Sequence, residues 1–486
     1  MPQLLTRIAD SLGVPGDIFI GIYVLTCGYW FVPLYSLVPT SAHNARHLFS
    51  IVVSCLMYLS LFDPKDFIEL FAMCTIVYCL TFSLKTKSWM PIAVFGYVMT
   101  HFCYRLFIIQ IVSLIHEKHI DPATPMMVMV IRLTTFAWNI HDGTKQEKDV
   151  IPEIKSKVIR QFPSLLEFYG FTCFFVTFIA GPALDFNDYR EFILRTGAFT
   201  VIPSRTIPTL KLVGAGFCFA GLYAFLMEKY KYEFTATPEF LENYTFLERV
   251  LYMQAAGFTS RIKYYAVFKL SEGACCFAGI GYSGVNPKTK EHVWERAQGV
   301  IIRGVEGAEN FKQLFASWNM KTALWLRNCV YLRMVPPGGK PGPLVTWATF
   351  MVSALWHGFH PGYYLTFGMG AAFPVLGRSA RKYLRPLFLK PSKLYPYKIV
   401  YDFLGWFITW TSLNSIVAPF VIWYLKEALA AWRSVGYYSI VFLIVGFVVL
   451  DGSGGGKWIR KNVGAFVGAE PVARTITTTR EKLKDQ

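Results

Sequence analysis

Residues Leu344 to Phe367 read LVTWATFMVSALWHGFHPGYYLTF, and the fold is decided by how this stretch is read. Its 24 residues are apolar enough to enter a bilayer and exceed the roughly 20 that a crossing takes. Yet His357 sits inside the run, with Gly358, His360, Pro361 and Gly362 directly behind it. An ionisable side chain at membrane depth is costly, so it points to a function and to a bundle interior or wet cavity. A histidine bonded to a neighbouring helix for packing alone is the alternative. Pro361 and Gly362 should break or kink the helix, which is tolerated at that depth only where protein or a cavity surrounds the backbone.

The rest of the chain agrees with a membrane reading. Of 486 residues, 54% are hydrophobic and only 16% charged. A soluble chain of this length would split into domains with polar surfaces between them. Here apolar residues come in blocks, at about 17–38, 47–62, 67–84, 89–115, 124–140, 164–183, 208–227, 249–283, 344–376, 399–424 and 434–450. The expected fold is all-α, a polytopic transmembrane helical bundle of about eleven spans. Its membrane domain should fill 1–456, with a basic cytosolic tail at 457–486. No cleavable signal peptide is expected, because the first apolar block is long enough to remain as a span. The cysteines lie mostly in apolar blocks without C-x-x-C spacing, which argues against a disulfide framework and against a metal site.

Loop charge sets orientation. Gly377 to Lys398 carries seven basic residues and no acid, and the tail from Lys457 is also basic. The positive-inside rule makes both cytosolic, together with His141 to Gln161. If every block crosses, the N-terminus is lumenal and the triplet Asn243-Tyr244-Thr245 is cytosolic and unmodified. Lys482 and Lys484 stand third and fifth from the end, a spacing like the dilysine signal read by vesicle coats. The net charge of +17 has its first cause in such loops, and an anionic lipid or phosphorylated ligand is a second.

Upstream lies FKQLFASWNMKTALWLRNCVYLR, Phe311 to Arg333, read as an amphipathic helix with Trp318, Thr322, Trp325 and Cys329 at helical spacing. Asn319, taken alone, would be interhelical glue. The pair SWNMKTALWL (Ser317 to Leu326) and WHGFHPGYY (Trp356 to Tyr364, with Tyr363) resembles the membrane-bound O-acyltransferases. More narrowly it resembles their lysophospholipid branch in its broad-specificity fungal form. Further matching stretches run from Leu133 to Gly143, Pro163 to Tyr189 and Arg261 to Tyr282. The sterol and diacylglycerol branch carries F-Y-x-D-W-W-N, where this chain has Phe315-Ala316-Ser317-Trp318-Asn319. That departure argues against a neutral-lipid acceptor.

By this resemblance the catalytic positions fall on His357 and Asn319. The implied reaction moves an acyl group from acyl-coenzyme A, a co-substrate and not a bound cofactor, to the free hydroxyl of a lysophospholipid in the bilayer. A histidine suits removal of the hydroxyl proton. A neutral amide suits either orienting the acceptor or donating to the oxyanion, and both roles stay open. Arg261, Lys263, Lys321, Arg327 and Arg333 are candidates for the coenzyme phosphates, against a plain snorkelling role. The implied setting is the endoplasmic reticulum, with no nucleic acid and no metal. A rival H-x-x-x-x-D signature, His116 to Asp121, lacks the phosphate-binding motif that should accompany it. A transporter would show paired, broken repeats, and none is present. A scaffold would give no reason for Asn319 and His357 in their motifs.

Overall fold

The computed structural model describes residues 2–11, 16–112, 122–335, 339 and 342–469. As expected it is all-α. The only strands among the described residues are Gly284–Val285 and His292–Val293, an antiparallel two-residue pair. The His116 to Asp121 signature and the Lys482 and Lys484 spacing lie outside the described residues. The chain divides into two compact units. One unit is Met1–Ala224, Ile262–Val300 and Asn319–Pro337; the other is Phe225–Arg261, Ile301–Trp318 and Gly338–Gln486.

The first unit opens with apolar helices joined by short turns. His43–Leu61 and Pro64–Leu84 are separated by two residues, because Asp63 accepts the Lys65 N–H while Pro64 takes the first helical position. Ala123–Gly143 runs through the centre of this unit and buries Arg132 completely enough to leave it 2% exposed.

That arginine explains the first correction. The block 164–183 forms no helix long enough to cross. It is a short helix, Leu165–Thr172, followed by a single turn, Phe175–Thr177. Its flanks meet: Lys157 pairs with Asp185, and Asn187 Nδ2 donates to the Ser156 and Val158 carbonyls at 3.2 and 3.1 Å. Arg190 and Glu167 close the same end in a bidentate pair at 2.6 and 3.0 Å. The chain therefore enters and returns on one side. Inside, the carbonyls freed where the helix stops need donors. Arg132 donates to the Thr172 carbonyl at 2.6 Å, to the Thr177 carbonyl at 2.8 Å and to the Thr177 hydroxyl. One crossing thus leaves the parity count on which the assignment of Asn243 rested.

Six helices among the described residues are long and apolar enough to cross, or seven if Leu425–Ser434 and Tyr438–Gly452, bent by 81°, count as one. The expectation was about eleven. The run at 344–376 divides into Pro343–His357, too short to cross alone, and Pro361–Tyr383.

The second unit packs Pro361–Tyr383 against Phe311, Ile416, Leu443 and Leu450, with Phe311 and Phe373 stacked at 4.4 Å. Beside this core lies a polar network. Arg261 makes a bidentate pair with Glu306 at 2.9 Å and also donates to Asn414 Oδ1, whose Nδ2 donates to Gln254 at 2.8 Å. Trp410 Nε1 completes it on Glu306 at 2.8 Å. Gly257 is required there, since a Cβ would lie 2.4 Å from Asn414 Oδ1. The segment from Lys457 stays helical through Val467, and Lys393 N–H donates to the Val467 carbonyl at 2.8 Å. Residues 457–467 are thus helical and bonded to the second unit.

Two outcomes follow from the re-entrant segment. Single cysteines at Lys148 and Thr196, both exposed, should react alike with a membrane-impermeant maleimide in sealed vesicles. Labelling of one and protection of the other would restore a crossing at 164–183. Arg132→Met should orphan the buried carbonyls at about 1–3 kcal/mol each, and lower the yield of monodisperse protein in detergent well below that of Thr134→Val. Equal yields would show that Arg132 does not hold the turn.

Candidate functional site

The helix Pro343–His357 ends on the histidine itself. Gly358 adopts φ 125°, a conformation that side-chain-bearing residues avoid, and its N–H closes back on the Ala354 and Leu355 carbonyls at 3.1 Å. His357 is therefore the last residue of its helix, at the break that Pro361 and Gly362 predict from sequence. Pro361 takes the first position of the next helix, where its missing N–H costs nothing. Gly362 then packs against a second break: its N–H donates to the Trp423 carbonyl at 2.9 Å, and a Cβ would stand 1.9 Å from the Pro419 carbonyl oxygen. Trp423 itself sits at φ 72°. Two interruptions thus lock together, each satisfying the other's backbone.

The His357 ring lies among aromatics. Phe367 stacks on it at 5.2 Å, Phe420 meets it edge-on at 4.9 Å, and Trp356 and Tyr363 stand at 4.8 and 5.7 Å. The residue as a whole is half-buried, while Trp356 and Tyr363 are buried. Tyr364 is half-buried on the same helix. Phe367 and Phe420 were not singled out from sequence. Phe420 comes from a separate apolar block, and no local spacing connects it to residue 357. His360 is occupied otherwise, stacked on Trp423 at 4.9 Å and 8°.

Asn319 interrupts what was read as one amphipathic helix. Phe311–Ser317 stops there and Met320–Leu326 starts, with Asn319 at φ 41°, ψ 55°. Asparagine tolerates this left-handed conformation better than most residues. In the first unit Met320 N–H donates to the Gly299 carbonyl at 2.8 Å, while the Gly299 and Val300 N–H groups donate to buried Glu272. In the second unit Ile301 N–H donates to the Ser317 carbonyl at 2.9 Å. The residues on both sides of Asn319 are therefore held by the backbone. After it, Thr322 is buried and Trp325 Nε1 donates to Thr134 Oγ1 at 2.9 Å, so the helix is anchored by its motif residues. Trp318 is half-buried at the break.

The five basic candidates are distributed unevenly. Arg261 is committed to Glu306, and Arg333 makes a bidentate pair with buried Asp142 at 3.1 and 2.6 Å while stacking on Trp138 at 4.0 Å. Lys321 donates to the Arg296 carbonyl and lies in the field of Asp185 and Asp188. Arg327 is more open, 42% exposed, with Glu153 at 3.5 Å. Lys263 stands 5.8 Å from the Tyr264 ring.

The profile of the membrane-bound O-acyltransferase family matches residues 107–418, which include both Asn319 and His357. The chain is 30% identical to a lysophospholipid acyltransferase of Schizosaccharomyces pombe, over 91% of this chain and 88% of that protein. It is 30% identical to a lysophospholipid acyltransferase of Saccharomyces cerevisiae, over 92% of this chain and 76% of that protein. A human membrane-bound glycerophospholipid O-acyltransferase 1 is 27% identical over 90% of each chain. With a multi-span helical fold, a histidine at a helix break and a family match over most of its length, the chain belongs to the membrane-bound O-acyltransferases, a family of acyl-transferring enzymes.

Proposed function

We propose that the chain is a lysophospholipid acyltransferase of the endoplasmic reticulum that moves an acyl group from acyl-coenzyme A to the free sn-2 hydroxyl of a lysophospholipid. The observation that carries this reading is His357, half-buried at the end of its helix among aromatic rings that suit an acyl chain. The names of the two yeast relatives support the acceptor class.

In this reading the His357 imidazole takes the acceptor's hydroxyl proton as the oxygen attacks the thioester carbonyl. The carbon–sulfur bond then breaks, and the thiolate leaves with the proton returned by the imidazolium. Asn319 orients the hydroxyl or donates to the tetrahedral oxyanion. Arg261, Lys263, Lys321, Arg327 and Arg333 are the candidates for the coenzyme phosphates, and Arg327 is the more open of the paired ones, with its side chain 42% exposed.

His357→Ala should keep expression but lose about 10²- to 10⁴-fold in transfer, the usual cost of a missing general base. Asn319→Ala should lose a comparable factor, and the double variant little more, as residues acting as one unit are non-additive. Because Asn319 is left-handed, Asn319→Gly separates backbone from amide. If the amide matters, glycine is as inactive as alanine; full activity in the glycine variant would reduce Asn319 to a conformational role. His360→Ala and His116→Ala should retain much of the activity. Coenzyme A release from acyl-coenzyme A on adding lysolipid reads all of these, and a dead His116→Ala beside an active His357→Ala would overturn the assignment.

A further inference from the structure

Arg46, Arg195 and Arg205, all in the first unit, form a cluster of cations that the transfer chemistry does not use. Arg46 lies in the first turn of His43–Leu61 and is 2% exposed. Its Nε and Nη1 are buried and hydrogen-bond to nothing among the described residues. Its guanidinium carbon stands 4.5 Å from the Tyr35 ring centre and 5.4 Å from that of Phe192. Arg195 stacks on the same Phe192 ring at 5.3 Å, and its Nε is likewise buried without a partner. Arg205 completes the group immediately before Thr206–Leu226, donating to the Ala278 carbonyl at 3.2 Å. No carboxylate pairs with any of the three among the described residues. Glu191, on the same helix as Phe192, lies instead beside Gly197.

Like charges in this proximity repel, and burial removes the water that would screen them. Burial, and then the charges of Arg46 and Arg205, pull the Arg195 pKa down. Arg195 also occupies a left-handed backbone, φ 57°, ψ 43°, where glycine is usual. Such strain and uncompensated charge persist where the surroundings or a ligand offset them. Guanidinium groups, here one buried and two half-buried, match phosphate oxygens, and the starts of two helices add their dipoles in the same sense.

The surroundings favour an amphiphile. Arg46 and Arg205 stand where two candidate spans begin, and Leu48, Val201 and Ile207 beside them are 55%, 75% and 66% exposed. His47 bonds Tyr189 at 2.7 Å, which joins this end to the Lys157–Asp185 side and its basic loop. We propose that Arg46, Arg195 and Arg205 bind the phosphate of an anionic bilayer phospholipid, whose acyl chains cover the apolar residues at the entrance of the two spans.

The test is thermal unfolding of the purified full-length protein in uncharged detergent. Dioctanoyl phosphatidate should raise the midpoint by several degrees, while dioctanoylglycerol and inorganic phosphate should not. In the double variant Arg195→Gln with Arg205→Gln that rise should vanish, and the ligand-free midpoint should hold or increase as like charges are removed. An undiminished rise in the double variant, or no rise in the wild type, would overturn the proposal. An equal rise with dioctanoylglycerol would leave only apolar contact. A rise with inorganic phosphate or coenzyme A that the variant loses would reassign the arginines to a soluble anion and overturn the lipid. Should the double variant not purify, Arg195→Gln alone carries the same series: a reduced rise supports the site and a full one removes it.

Discussion

A polypeptide that interrupts its helices inside an apolar body must find partners for every backbone group it frees, and the described fold depends on how that is done. In the first unit the solution is a single buried guanidinium. Arg132 reaches the carbonyls of Thr172 and Thr177 and the Thr177 hydroxyl, so the 164–183 segment can turn back without water. A buried arginine is costly without hydrogen bonds, and here its fork supplies donors where the ended helix needs them. In the second unit the solution is reciprocal. The break after His357 and the break at Trp423 share the Gly362 N–H to Trp423 carbonyl bond. The approach is so close that only glycine fits.

This requirement connects fold to chemistry. A histidine inside a continuous helix points to one face and competes for space with its neighbours one turn away. At a helix end, followed by a left-handed glycine, it is free of the next turn and can be surrounded by rings from other segments. Phe367 and Phe420 fill that role. Asn319 is placed by the same logic, at a junction between two short helices whose flanks are held by backbone bonds. Groups that must act on a substrate need such preorganised positions, since hydrogen-bond geometry decides what they stabilise.

Much of this was legible in the sequence, and the failures have physical causes. The all-α class follows from block length and apolarity, and the interruption near Pro361 follows from proline and glycine chemistry. The crossing at 164–183 was misread because a buried re-entrant segment and a spanning helix have the same hydropathy. What distinguishes them is Arg132, some 30 residues upstream, whose partners no local pattern reveals. The helix at 311–333 was misread as continuous because its apolar spacing holds on both sides of the break. Only the left-handed tolerance of Asn319 hints at the interruption, and asparagine also occurs freely within helices. Of the aromatics around His357, Phe420 was invisible for a related reason: it is distant in the chain.

Charge shows the same limit most clearly. Sequence reports where a guanidinium is attached, not what it meets. Arg261 and Arg333 stand in motifs and looked available, yet each makes a bidentate pair with a carboxylate that contributes as much to its position as its own chain does. Removing one partner of such a pair leaves an uncompensated charge, so their substitution would cost about 3–5 kcal/mol through the fold before any ligand is involved. Arg46 stands in no motif, and its neighbours Tyr35 and Phe192 look like ordinary core. It is nevertheless the buried cation whose donors remain unspent. In a chain with a net charge of +17, the arginines available to a phosphate are distinguished by partners already taken, and that is a property of the folded backbone alone.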